Sequence, residues 1–410
     1  MKIAMISQWF DPETGSAAIP GSVARALAAR GHEVTVITGF PNYPVGKIYD
    51  GYRVKVLQRE VIGNVKVVRV PMFPAHGSSS LKRAAFFLSF MLSASLWGSW
   101  FARRSDAVLV YSTSATVGVA GVVMKRVFRK PTVMYVEDLW PDSVLASGLV
   151  DGVVGRVAWF TLDRMARWGY RAADRIAVIS PGMQEVLHGR GVPRERMSLV
   201  YNWADESLFH PVQPTVASDG LTMMYAGNLG DVQGIDTALR ALSLVDPSRS
   251  VRLRLVGSGV AEDRLKELAV ELRVDERVTF EGTRPISDMA ALMSEADVQL
   301  VCLRDLPVFR ATMPSKTQAI LACGRPVLAS AAGDAADLVA RSGAGIAVAP
   351  DDAQAMAEAI DRLATMSGDE LERFGASGRK FYEEELSVSV GARRLESALI
   401  GAAKPWYGAS

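Results

Sequence analysis

The sequence is poor in the residues that most covalent and metal chemistry needs. Of 410 residues only Cys302 and Cys323 are cysteines, and only His32, His76, His188 and His210 are histidines. Two lone thiols in apolar surroundings exclude a disulfide framework and suit a reducing compartment. Neither they nor four scattered histidines supply a ligand cluster, so no metal is expected. The net charge is only +2, and no nucleic-acid partner is expected. The opening MKIAMISQWFDPETG has no cleavage-type segment. It reads as a buried strand entering a polar loop, so no secretory leader is expected. There is no GxGxxG, and with it goes the dinucleotide fingerprint.

What is present is an ordinary globular composition, with 49% hydrophobic and 22% charged residues, in a chain long enough for two or three domains. Short, β-branched apolar runs alternate with helical stretches such as Pro20 to Arg30 and Val153 to Ala173. The runs are KIAMIS, EVTVIT, VKVVRV, AVLVYS, TVMYVE and RIAVIS. The pattern restarts at Leu221 with LTMMYAG, RLRLVG, VTFEG, VQLVCL, RPVLAS and GIAVA. Buried strands alternating with helices predict parallel, doubly wound α/β sheets. The expected organisation is an N-terminal Rossmann-like domain over 1–205, a linker over 206–220 and a second Rossmann-like domain over 221–385. A helix over 386–410 is expected to cross back to the first domain. Ligands of such sheets bind at the carboxyl ends of the strands, here in a cleft between the domains.

Charge is unevenly shared. Met1 to Asp205 holds 25 Lys and Arg against 15 Asp and Glu, and the remainder holds 21 against 29. A basic first half suits phosphates or an anionic membrane surface. Within it, Ala84 to Ala102 is uncharged and bracketed by Lys82, Arg83, Arg103 and Arg104. Its length would span a bilayer, but four serines interrupt it and a strand follows at once. A core helix with one face touching lipid is expected.

Four loops carry candidate chemistry. Gly15 and Ser16 follow the first strand and feed a helix, where backbone N–H groups can approach a phosphate. AGNLGDVQGID places Gly227, Gly230 and Gly234 in a strand-to-helix loop, with Asn228 and Gln233 at its mouth. In FRATMPSK, Pro314 suits a first helical turn. Ser315, Lys316 and Thr317 would then present free N–H groups, and Lys316 and Arg310 add positive charge. Glu137 and Asp138 end a buried strand, where positioning or acid–base carboxylates belong. Asp142 reads as the cap of the following helix.

Seven segments in one order resemble a known family: FPNYPVGKIYDGYR, DLWPDSVLASG, VISPGM, VYNWAD, AGNLGDVQG, FRATMPSK and LACGRPV. The chain resembles the retaining glycosyltransferases of family 4, with the GT-B fold, in the subgroup that builds bacterial surface polysaccharides such as O-antigen and colanic acid. The resemblance implies a UDP-sugar donor, with its diphosphate on the Ser315 and Lys316 amides and the Gly15 loop. It implies no metal or other cofactor, since cationic groups and helix dipoles stabilise the leaving phosphate. The implied acceptor is an undecaprenyl-diphosphate-linked saccharide, reached by a cytoplasmic enzyme peripheral to the inner face of the plasma membrane. Glu137 or Asp138 would steer the acceptor. Asn228 and Gln233 stand where many relatives carry Arg and Lys. The family's Glu-x7-Glu pair falls on Ala311 and Ala319, and Gln318, one step away, is no obvious substitute for a ribose ligand. A sugar-nucleotide epimerase of the same fold and a non-catalytic nucleotide-sugar-binding module are the alternatives.

Overall fold

The apolar runs form strands because their β-branched side chains suit a pleated surface covered on both faces. In the computed structural model, which describes residues 1–75, 80–142, 152–213 and 220–407, they assemble into two sheets. Contacts divide the chain into one unit of residues 1–200 with 392–410 and another of 201–391. Residues 214–219 of the expected linker lie outside the described residues.

The first unit holds β1 (Lys2–Ile6), β2 (Glu33–Thr38), β3 (Gln58–Ile62), β4 (Val65–Arg69), β5 (Ala107–Ser112), β6 (Thr132–Val136), β7 (Arg175–Val178) and β8 (Met197–Leu199). Their order is β3-β4-β2-β1-β5-β6-β7-β8. All neighbours are parallel except β3, which pairs antiparallel with β4. The two strands missing from the sequence reading are the sheet's edges. β3 is half-exposed throughout, and β8 has three residues. The chain reverses direction across the sheet between β1 and β5, so the loops at their carboxyl ends part there. From the C-terminal helix Val388–Tyr407, Glu396 accepts hydrogen bonds from Arg30 and from His32 Nε2 (2.8 Å).

The uncharged run is helical over Leu81–Ala102, with one π turn at Ala94–Gly98. About one third of it is buried. Phe86, Phe90, Ala94 and Gly98 form the inward side, and a Cβ on Gly98 would lie 2.5 Å from Ile37 of β2. The helix therefore packs on the sheet of its own unit.

The second unit holds β9 (Leu221–Ala226), β10 (Val251–Val256), β11 (Val278–Gly282), β12 (Val298–Cys302), β13 (Val327–Ser330) and β14 (Gly345–Val348), in the order β11-β10-β9-β12-β13-β14. All of its pairings are parallel. Its reversal point lies between β9 and β12. The loops after β9 and β10 are pressed together there. Gly257 has φ +136°, and a Cβ on it would meet the Gly227 carbonyl oxygen at 1.9 Å. Only a residue without a side chain permits that approach. Gly282, with φ +67°, has open space where its Cβ would go. Gly282→Ala should therefore cost only the left-handed backbone penalty, about 1–2 kcal/mol, and Gly257→Ala clearly more. Urea unfolding of the two variants measures this, and equal losses would contradict the close packing.

Candidate functional site

At the reversal point of the first sheet, the loops after β1 and β2 are tied by one carboxylate. Glu13 is 4% exposed and accepts the backbone N–H groups of Phe10 (3.1 Å), Asn42 (2.8 Å) and Tyr43 (2.9 Å). Burial pushes its pKa up, and the three N–H groups oppose that rise. Beside it the buried Arg69 donates to the carbonyls of Gly39 (2.9 Å) and Asp11 (2.6 Å) and to Glu60 (2.5 Å). Gly15 (φ +64°) and Ser16 open a 3-10 turn, Gly15–Ala18, that leads into the helix Ile19–Ala29. Both are exposed. Sequence reasoning missed Glu13 and Arg69. The only signal was an acidic residue two positions before a turn glycine.

Glu137 and Asp138 follow β6 and differ in their surroundings. Glu137 interacts with the buried hydroxyl of Tyr111, whose pKa it helps to raise behind the larger effect of burial. Asp138 is exposed and lines a small hollow with Ser112, Met134, Trp140 and Tyr170. The protein around its carboxyl displaces enough water to push its pKa up to about 6. Asp142 pairs with Arg190. The helix it was expected to cap falls on 143–151, outside the described residues.

At the reversal point of the second sheet, the helix Ser315–Ala322 begins after Pro314 in extended conformation. Lys316 reaches back so that Nζ stands 3.8 Å from the centre of the Tyr225 ring and 3.4 Å from Gln233 Oε1. Tyr225 is fixed in turn, its hydroxyl 2.9 Å from the Asn228 carbonyl and 3.1 Å from Gln233 Oε1. A Cβ on Gly227 would lie 3.2 Å from Nζ. Asn228 is exposed, and its side chain fits the groove left by Gly230 and Gly259. Tyr225 was not singled out in the sequence, where it reads as one more apolar strand residue. The structure therefore brings together Lys316, Gln233, Asn228 and the start of the 315–322 helix.

Two other expected members stand differently. The Thr317 N–H is not free, because it donates to the Pro314 carbonyl (2.9 Å) as the first turn closes, and the residue is fully buried. The N–H groups of Ser315 and Lys316, ahead of it in that turn, have no backbone partner among the described residues. Arg310 is exposed and held by Asp305 (3.0 and 3.1 Å). Gln318 is 1% exposed, its amide oriented so that the nitrogen donates to the carbonyls of Pro314 (2.7 Å) and Ser315 (3.1 Å). Its amide nitrogen is thus committed to the start of its own helix. Among the described residues no group of three or more His, Cys, Asp and Glu could hold a metal ion.

Burial lowers the Lys316 pKa from 10.5 to about 8. The folded chain thus binds this proton less tightly than the unfolded chain. The resulting destabilisation is complete below about pH 8 and fades as pH rises toward 10.5. Its size is at most about 3 kcal/mol, less the cation–π attraction that a neutral side chain forfeits. Lys316→Met should therefore raise the unfolding free energy of the ligand-free protein at pH 7, by roughly 1–3 kcal/mol. That advantage should shrink between pH 8 and pH 10.5. Urea titrations across this range measure both.

With the geometry established, comparison with known proteins gives a consistent answer. Residues 14–203 match the model of a glycosyl transferase 4-like domain, and residues 220–366 match that of glycosyl transferases group 1. The putative colanic acid biosynthesis glycosyl transferase WcaI of Escherichia coli K12 is 28% identical, over 79% of this chain and 82% of its own. Among solved structures, sucrose-phosphate synthase from Thermosynechococcus elongatus superposes with a TM-score of 0.72 at 22% identity, covering 100% of both chains. HepE from Anabaena, in complex with UDP and glucose, gives 0.67 at 18% identity, covering 98% of this chain and 99% of its own. The two matched models take in most of the chain, in the order in which its two sheets occur, and the chain belongs to the glycosyltransferase family they describe, an enzyme of GT-B fold related to those of bacterial surface-polysaccharide synthesis.

Proposed function

We propose that the protein transfers a sugar, with retention of configuration, from a UDP-sugar to a lipid-linked saccharide during surface-polysaccharide synthesis. The observation that carries the donor assignment is the ammonium of Lys316. It is held on Tyr225 at the reversal point of the second sheet, and its residue and Ser315 carry the free N–H groups that open a helix. A point charge and a helix N-terminus converging there favour a diphosphate. UDP, the nucleotide bound by HepE, supports the choice of base. The names of WcaI and its relatives support an acceptor in polysaccharide synthesis. An undecaprenyl-diphosphate carrier fits an enzyme at the inner face of the plasma membrane, with the helix Leu81–Ala102 toward lipid.

In this reading the acceptor hydroxyl attacks the anomeric carbon on the face the UDP leaves. The carbon–oxygen bond to the diphosphate breaks as the new glycosidic bond forms. The acceptor proton passes to the departing phosphate oxygen. The chain contributes orientation and charge stabilisation. Lys316 and the Ser315 and Lys316 amides take up the negative charge developing on the diphosphate, and no metal is required for that. Asp138 steers the acceptor, because it is the carboxylate that faces solvent, whereas Glu137 is engaged with Tyr111.

Lys316→Ala should weaken UDP binding by roughly ten- to a hundredfold, the cost of about 1.5–3 kcal/mol for a lost charge-assisted contact. In the wild type the affinity should be flat below pH 8 and fall, by up to about tenfold per pH unit, once the ammonium deprotonates. Calorimetry reads both, and an unchanged affinity would remove Lys316 from the site.

Transfer is tested with a panel of UDP-sugars and undecaprenyl-diphosphate-linked saccharides in excess EDTA, followed by mass shift. Product should form without added metal, with free UDP released only when acceptor is present. Asp138→Asn should lower the turnover rate by roughly tenfold or more at an unchanged donor KM. UDP binding without any transfer across the panel would favour a binding module.

A further inference from the structure

A helix packed on a sheet ordinarily turns its apolar stripe inward and a polar one to water. Two helices of the first unit carry a second apolar stripe on the outside. Along Leu81–Ala102 the outward positions include Leu81, Leu88, Leu92, Leu96 and Trp100, with Leu96 68% exposed. Along Gly152–Ala172 they are Val157, Phe160, Arg164, Trp168 and Arg171, with Phe160 58% exposed. These spacings of three, four and seven keep each set on one side of its helix. Both helices pack against the helix Val117–Arg126, so the two stripes flank it on one side of the sheet. The end of that middle helix adds Arg126, exposed Val127 and Arg129.

The charges of the segments that carry these helices are equally one-sided. Residues 80–130 and 152–172 carry twelve Lys and Arg against two Asp, while the rest of Met1–Asp205 has thirteen of each sign. The whole positive excess of the first half therefore belongs to these segments. Their two acids are engaged, Asp106 by the Lys2 backbone N–H and Asp163 by Arg167. The guanidiniums lie on the aromatic rings: Arg103 3.3 Å from Trp100, Arg164 5.7 Å from Phe160 and Arg126 5.9 Å from Trp168.

Leucines and tryptophans interleaved with arginines match the boundary between acyl chains and phosphate headgroups. There the apolar side chains leave water, indole rings settle at headgroup level and guanidiniums meet anionic lipid. We propose that the outer side of these three helices is a docking surface for an anionic phospholipid bilayer, held without a spanning segment. It deepens, and rests on, the membrane-peripheral reading of the enzyme. It adds the helix Gly152–Ala172 and the tip of Val117–Arg126 to the run Ala84 to Ala102. The inward side of Leu81–Ala102 stays packed on the fold, so only the outer stripe enters lipid.

Cosedimentation of the full chain with phosphatidylcholine vesicles, with and without phosphatidylglycerol, tests the surface. Binding should require the anionic lipid and weaken as salt screens it. Tryptophan emission should shift to the blue on binding. The pair Phe160→Ser with Trp168→Ser, on the helix the sequence did not implicate, should weaken binding by roughly tenfold or more. Arg164→Glu with Arg171→Glu should abolish the preference for anionic vesicles. Both double variants should keep the wild-type melting curve and UDP affinity, so loss of lipid binding is separable from failure of the donor reading. A chain that binds vesicles but not UDP would sink the donor reading and support this surface. The proposal is overturned if the wild type ignores anionic vesicles at low salt or binds neutral ones equally. It is also overturned if the variants bind as the wild type does, or if they dissociate a wild-type dimer, which would make this side a contact between two copies.

Discussion

The ammonium of Lys316 rests on the ring of Tyr225 where β9 and β12 part, and loss of water there lowers its pKa to about 8. A charge held this way is a liability in the protein alone, because burial disfavours it and among the described residues no carboxylate repays the loss. The surrounding structure makes sense as the means of keeping it there. Tyr225 supplies the electron-rich face, and its hydroxyl is fixed by Asn228 and Gln233. Gly227 leaves room for the ammonium, and Gly257 lets the next loop close behind it. Pro314, in extended conformation, starts the helix that carries Lys316 in its first turn.

The other cations near these strand ends show what Lys316 lacks. Arg304 bridges Asp236 and Asp351, both at 2.6 Å. Arg310 is held by Asp305, and Arg254 by Glu281 (2.5 Å) and Glu295 (3.0 Å). Each is neutralised by the fold and serves to fix a loop or a strand. The first unit makes the same distinction with the opposite sign. Glu13 is spent on three backbone N–H groups and holds two loops, while among the described residues no N–H group anchors Asp138, whose pKa burial pushes up to about 6. Paired charges, and buried ones spent on backbone groups, build the scaffold here, whereas Lys316 and Asp138 combine a displaced pKa with a place at a strand end.

The fold was legible because it rests on local pattern. All twelve apolar runs are strands, since alternation of buried β-branched segments with helices leaves few arrangements open. The two strands that escaped, Gln58–Ile62 and Met197–Leu199, lie at the sheet's edges, where partial exposure dilutes the pattern. The site was legible only in outline. Glycine spacing and the Pro-Ser-Lys helix start drew attention to the right loops. Tyr225 and Glu13 act through contacts with residues 91 and about 30 positions away, which no window of sequence reveals. Thr317 was included for an N–H expected to be free at the helix start, and Arg310 for its charge beside it. Closure of the first helical turn consumed the N–H of one, and Asp305 captured the other. The tally of charge over half a chain likewise hid that its excess sits on three adjoining helices and the residues that follow two of them.

The absence of the family's paired glutamates has a consequence for how the donor is held. Ala311 and Ala319 offer no acceptor for ribose hydroxyls, and Gln318 turns its amide back onto the carbonyls of Pro314 and Ser315. Its side chain thereby tightens the first turn of the helix that begins at Ser315. On the proposed reading, recognition that relatives divide between ribose and diphosphate is concentrated here on the diphosphate. A site of that kind gains little from each hydroxyl and much from charge, because a charge-assisted hydrogen bond is roughly twice as strong as a neutral one. The desolvated Lys316 then has a reason beyond tradition of fold. Its attraction for an anion grows as water is excluded, so the same burial that destabilises the empty protein strengthens the contact left to hold the donor.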